Sequence, residues 1–250
     1  AAFNSPRFEM AIQKGEFYQD PVQFTQRKAV FEVTFSHPVN AELFEKQVSL
    51  AYTGIEGAAK DARRFSVTYD KHRLAATLHS EALPIPREAG SATLTIAAGV
   101  RAEKGGNATR DNTTRAVAIP GLYSLDVTQL AQLVLTGDNG EPESVLQVTG
   151  SMPVHEKEIA RSVSAWVLPT EVDGEVKEWS EPAEVTEAIL RKSQKQTLVA
   201  AAGEREVMET HALKFRAEPG RYLLVRVQKG MQSAGGYLLG ATRDEIIRVK

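Results

Sequence analysis

The chain has 250 residues, a net charge of −2 with 25% charged residues, and no cysteine. That length fits one large domain or two ordinary ones, and the near-neutral balance argues against a nucleic-acid-binding protein, which needs a basic stripe. The lack of cysteine excludes disulfides, thiolate metal sites and a thiol nucleophile, and no apolar run approaches the length of a membrane span.

The start, AAFNSPRF, lacks the charged and apolar regions of a signal peptide, so Ala1 reads as a mature or cloned start of a fragment. Phe8, Met10 and Ile12 alternate with polar residues and predict a half-buried first strand. Residues 15–28, with Gly15, Asp20, Pro21 and several glutamines, read as a connection. Residues 30–35 are rich in β-branched and aromatic side chains and predict a strand, which Pro38 ends or places at an edge. Asn40 suits a helix N-cap, and Val39 and Phe44 have the spacing of a hydrophobic staple around it. After a polar stretch at 54–64, strands are predicted at 65–69 and 74–78, with Pro84 and Pro86 breaking the next segment. Ala92, Leu94 and Ile96 alternate in a further strand, Gly99 and Gly105-Gly106 follow, and residues 114–119 close the first half. Pro120-Gly121 reads as a short linker that limits the angle between two domains.

The second half repeats this programme. Residues 145–165 align with 30–50 without a gap at an offset of 115, so that Val30, Val33, Thr34, Ser36, Pro38, Val39, Val48 and Ser49 recur as Val145, Val148, Thr149, Ser151, Pro153, Val154, Val163 and Ser164. Each copy reads as strand, stop, short helical turn and strand. Tyr123, Leu125 and Val127 repeat the first alternation, residues 130–135 predict another strand, and Asp138-Asn139-Gly140 is a hairpin-turn signal. Val154 and Ile159 repeat the staple with His155 at the cap. The copies diverge between Pro169 and Gly203, where a polar hairpin turning at Asp173-Gly174, a short helix at 185–192 and a strand at 197–201 are predicted. Leu223, Val225 and Val227, then Gly230 and Gly235-Gly236, match the first half at an offset of 131 slipping to 130, and residues 246–249 close the chain. A repeat of this length sets the architecture. It predicts an all-β chain of two tandem Ig-like β-sandwiches with short helical turns, at residues 7–119 and 122–250. Gly99 and Gly230 are expected in equivalent turns, at least one with positive φ.

Chemistry is sparser. The glycine pairs are followed by Asn107 and Tyr237, whereas a phosphate loop needs Lys and Ser or Thr there. The five histidines, His37, His72, His79, His155 and His211, show no zinc-ligand spacing and read as surface or edge residues. No serine sits in a Gly-x-Ser-x-Gly elbow, the acidic stretch 138–143 lacks calcium-loop spacing, and Arg191, Lys192 and Lys195 read as a solvated face. The glycosylation acceptors at Asn107 and Asn112 matter only in a eukaryotic secretory setting. No catalytic, cofactor-binding or metal-binding residue is assigned, no cofactor is expected, and the chain is read as a non-enzyme.

Three stretches, FYQDP followed by FEVTFSHPVNAELFEKQVSL, VLQVTGSMPVHEKEIARSVSAWVLP, and GRYLLVRVQKGMQSAGGYLL, resemble the N-terminal macroglobulin-like domains of bacterial alpha-2-macroglobulins. The resemblance implies macroglobulin-like sandwiches in a much longer periplasmic protein, often anchored to the inner membrane, that traps foreign proteases and in some members is linked to peptidoglycan synthases. The family's cleavable bait and its Cys–Gln thioester have no counterpart in these residues, so no site is carried over. The expectation is a monomeric structural and interaction fragment, meeting proteases through its parent and docking periplasmic proteins. The alternative is an Ig-like adhesin or carbohydrate-binding module, which needs an aromatic platform built from Trp166 and Trp179.

Overall fold

The computed structural model describes residues 7–58, 64–136, 140–201 and 206–250. The chain divides into two compact units, Ala1–Leu122 and Tyr123–Lys250. Unit 1 runs β1 (Met10–Gln19), β2 (Arg27–Phe35), α1 (Ala41–Gln47), β3 (Val48–Thr53), β4 (Phe65–Tyr69), β5 (Ala75–Ser80), β6 (Gly90–Ile96) and β7 (Thr113–Ile119). Its strands form two antiparallel sheets in the orders β1-β2-β5-β4 and β3-β6-β7. That is the seven-strand Ig arrangement. Alternation drives it: Ala29, Phe31, Val33 and Phe35 from one sheet meet Leu50, Leu94, Ile96, Val117 and Ile119 from the other in one buried cluster.

Unit 2 repeats the order with β8 (Val127–Thr136), β9 (Pro142–His155), α2 (Glu156–Ser162) and β10 (Val163–Val167). An insertion follows, with β11 (Glu171–Val172), β12 (Glu175–Val176), a 3₁₀ turn at Pro182–Glu184, α3 (Glu187–Lys192) and β13 (Gln194–Lys195). Then come β14 (Val199–Ala200), β15 (Val207–Lys214), β16 (Tyr222–Val227) and β17 (Arg243–Arg248). Its four-stranded sheets are β14-β15-β9-β8 and β13-β10-β16-β17, and β11-β12 is a separate two-stranded ribbon. The two repeat stretches therefore occupy equivalent places, β2-α1-β3 and β9-α2-β10.

The repeat also fixes contacts that its residues do not announce. Val39 bridges Ala102, and Val154 bridges Ser233. Beside each bridge the repeated proline's carbonyl accepts a backbone bond, Pro38 from Glu103 at 2.8 Å and Pro153 from Ala234 at 2.8 Å. The loop after the penultimate strand is thus clamped to the staple in both units. Gly99 (φ 107°) and Gly230 (φ 89°) open those loops, both left-handed, and their amides bond Thr109 and Leu239.

Several sequence expectations are corrected. Residues 15–19 are the second half of β1, with a bulge at Gln13. Gly15 serves there by close packing rather than turning, since a Cβ would lie 2.8 Å from Val117 and 3.0 Å from Phe31. Tyr123 and Leu125 precede β8, and the strand expected at 130–135 is continuous with Val127, past a matching bulge at Thr128. Pairing has also slipped: Ile12 faces Val33, whereas Val127 faces Gly150, the counterpart of Phe35. Pro153 stops nothing, because it lies in an irregular stretch of β9 between its pairings with Thr210 and Met208, where no ladder bond is demanded of it. His155 holds the cap position but makes no side-chain bond, unlike Asn40. Strands β13 and β15 lie where the sequence predicts none. Asp173 (φ 54°) and Gly174 (φ 88°) make the expected tight turn, while Asp138 and Asn139 lie outside the described residues.

Candidate functional site

His211 is the one buried histidine of the five, with 4% of its surface exposed. Its Nε2 lies 3.0 Å from the carbonyls of both Val154 and Met208, so an Nε2–H tautomer donates across the irregular stretch of β9 and braces it. This corrects the surface reading. His37 sits 3.0 Å from Ser36 Oγ, His72 is exposed in the β4–β5 turn, His79 is half-buried in β5, and His155 is exposed at its cap. Among the described residues no group of three or more His, Asp or Glu is placed to hold a metal.

An open groove of about 640 Å³ in unit 1 is lined by Gln26, Lys28, Arg64, Phe65, Ser80 and Glu81. Its buried hydroxyl, Ser80, accepts from the Ala29 amide at 2.9 Å and donates to the Glu81 carbonyl at 2.7 Å. Arg64 pairs with Glu81 at 3.5 Å. The Ser80 hydroxyl is thus engaged by backbone as both acceptor and donor.

The insertion decides what the tryptophans do. Leu168, Trp179 and Leu224 form a second apolar cluster on the outer face of the β10–β16 sheet, joined by Trp166, Val172, Val185, Ile189, Leu190, Tyr222 and Ile246. Trp179 is 3% exposed and donates its indole N–H to the Pro169 carbonyl at 2.9 Å. Trp166 is half-buried, with the Lys195 ammonium and Arg226 guanidinium each 5.9 Å from its ring. Arg226 is itself held by both carboxylate oxygens of Asp244 at 2.8 Å, which pushes its pKa further up. The indoles are packing groups of a covered face, and the concave platform a carbohydrate module requires is not formed by them.

At the rim of this cluster, Glu184 is ringed by the Lys177 ammonium, the Ser180 hydroxyl and the amides of Glu181 and Ser180. The Lys177 and Ser180 bonds, then the amides, hold its carboxyl down at about 2. In unit 1, burial raises the Tyr69 phenol, as does its 3.0 Å bond to Glu45.

Each unit has strands at the ends of its larger sheets. β1, β4, β3 and β7 end the sheets of unit 1, and β14, β8, β13 and β17 those of unit 2. Among the described residues no helix is long and apolar enough to cross a membrane.

No protein-family model matches the chain. It is 32% identical over 258 residues to an alpha-2-macroglobulin homolog of Yersinia pestis, covering 99% of this chain and 13% of that protein. Alpha-2-macroglobulins of Pasteurella multocida and Rickettsia conorii are 25% and 22% identical, over 97% and 95% of the chain and 13% and 14% of their own lengths. The chain thus spans about an eighth of the curated relatives it matches. Among solved structures, native alpha-2-macroglobulin from Escherichia coli spanning domains MG0, NIE and MG1 aligns with 96% of this chain and 71% of that one, at 11% identity and a TM-score of 0.32, too loose a superposition to argue from.

Proposed function

The chain is a segment of an alpha-2-macroglobulin-like protein, and on that premise we propose that it works as a structural scaffold with docking surfaces rather than as a reactive unit. The observation that carries this is similarity along 99% of the chain to 13% of a far longer relative, in residues that hold no cysteine for a thioester. Ser80 in its groove, and Arg226 and Glu184 at its covered face, are engaged in structural bonds. Protease trapping belongs in this reading to the parent protein, in the periplasm, with this segment spacing the trap and offering edges to periplasmic partners such as a peptidoglycan synthase.

Mixing the purified chain with serine, cysteine and metalloproteases tests the proposal. Denaturing gels are expected to show no covalent adduct, and turnover of a small substrate is expected to be unchanged at equimolar chain. A protease-dependent adduct or stoichiometric inhibition by these residues alone overturns it.

A further inference from the structure

Leu133, Val134 and Leu135 are 41%, 50% and 44% exposed. Strand side chains alternate between faces, so three exposed apolar residues in a row put hydrocarbon on both faces of one strand. They lie in β8, which ends the sheet β14-β15-β9-β8 and so has one backbone edge with no ladder partner; just before them, the Gln132 side chain accepts the Lys250 amide at 3.1 Å. They also lie where the β8–β9 hairpin runs to the end of its neighbour: β9 pairs with β15 as far as Val145, yet pairs with β8 on to Pro142. The whole of β8, VTQLAQLVLT, carries no charge and no proline. Exposed edges are normally guarded by one or the other, because an unguarded edge recruits another strand.

The chain contains its own control. The equivalent strand β1, MAIQKGEFYQ, carries Lys14 and Glu16, paired at 2.6 Å, and Asp20 follows it. The same element of the same fold is guarded in one unit and unguarded in the other. Fold alone therefore does not require a neutral edge.

Size and charge select the occupant. Three half-exposed side chains are a small fraction of the roughly 800 Å² per partner that a stable complex of separate proteins buries. A second copy of the chain, meeting β8 to β8, is held by no more than that. A segment of the same polypeptide needs far less, because tethering supplies an effective concentration on the order of millimolar. The relatives place about seven-eighths of their length outside the stretch matched here. We propose that the β8 edge is a strand-addition site, filled in the parent protein by a neutral, apolar, extended segment from outside these 250 residues. This rests on the reading of the chain as a segment of a larger macroglobulin-like protein.

Amide hydrogen exchange over residues 130–136 tests it, measured in the 250-residue chain at low and high concentration and in the full-length parent. The expected result is fast exchange in the chain at both concentrations and exchange slowed tenfold or more in the parent. L133K combined with L135K in the parent is expected to abolish that slowing while β2 amides keep their rates. Equal exchange in chain and parent overturns the proposal, and so does protection that rises with concentration in the chain alone, which marks a second copy as the occupant. An open β8 edge in a long parent overturns only this assignment; a parent no longer than this chain overturns the scaffold reading with it.

Discussion

Asn40 and His155 hold the same position in the two copies, and only one of them has a bond to lose. Asn40 Oδ1 accepts the Leu43 amide at 3.0 Å, whereas His155 caps nothing. Asn40→Ala is therefore expected to lower stability by about 1 kcal/mol, and His155→Ala to change it by less than about 0.5 kcal/mol, in denaturant unfolding. Equal losses would mean the cap bond contributes nothing. Gly15 makes the opposite point about what a residue discloses. In sequence it reads as a turn, because glycine marks both turns and close approaches, and only the positions of Val117 and Phe31 decide between them. Gly15→Ala is expected to cost about 1–3 kcal/mol by overpacking, read as a lowered midpoint with unchanged slope. His211 was hidden for a similar reason: its role depends on two carbonyls, Val154 and Met208, far apart in the sequence from each other.

The elements that were legible are those with an intact local code. β2, β6 and β16 show their alternation, α1 its staple, and the β11–β12 turn its Asp-Gly. β15 was not legible, because VMETHALK places a histidine and a leucine on the buried face and a glutamate in line with them, which breaks the pattern. The insertion reads in sequence as hairpin, helix and strand, but its role in laying Trp179 over Leu168 and Leu224 depends on tertiary packing that no local window reports. Its rim gives a pH prediction. Glu184 has its carboxyl depressed from the ordinary 4.5 to about 2 in the folded state, so its contribution is fully present above 4.5 and is lost as pH falls toward 2. Tryptophan emission is expected to hold steady from neutral pH to that range and to shift red below it. Glu184→Gln is expected to show part of the red shift already at neutral pH. Identical acid titrations of the two proteins would separate Glu184 from the insertion's stability.

At the scale of the whole molecule, the repeat made two sandwiches legible because duplicated strand, staple and glycine loop are read twice. The docking edge was not, because its signal is a comparison between β1 and β8 that requires knowing that they are equivalent. Trp166 and Trp179 both belong to unit 2, which lets the units be followed separately. Phe44 is fully buried against Phe35 in unit 1, and Phe44→Ala is expected to cost about 3–5 kcal/mol there. Circular dichroism is expected to gain an earlier transition while the tryptophan transition keeps its midpoint; a joint shift would show one cooperative body. Finally, β8 sits two residues further along β9 than β1 does along β2, and five residues separate β8 from β9 where seven separate β1 from β2. A slip of one would have inverted inside and outside, while a slip of two leaves every side chain on its proper face. Residues 12–35 and 127–150 are equally long, so the two hairpins differ by trading residues two at a time between turn and strand, with none inserted or lost.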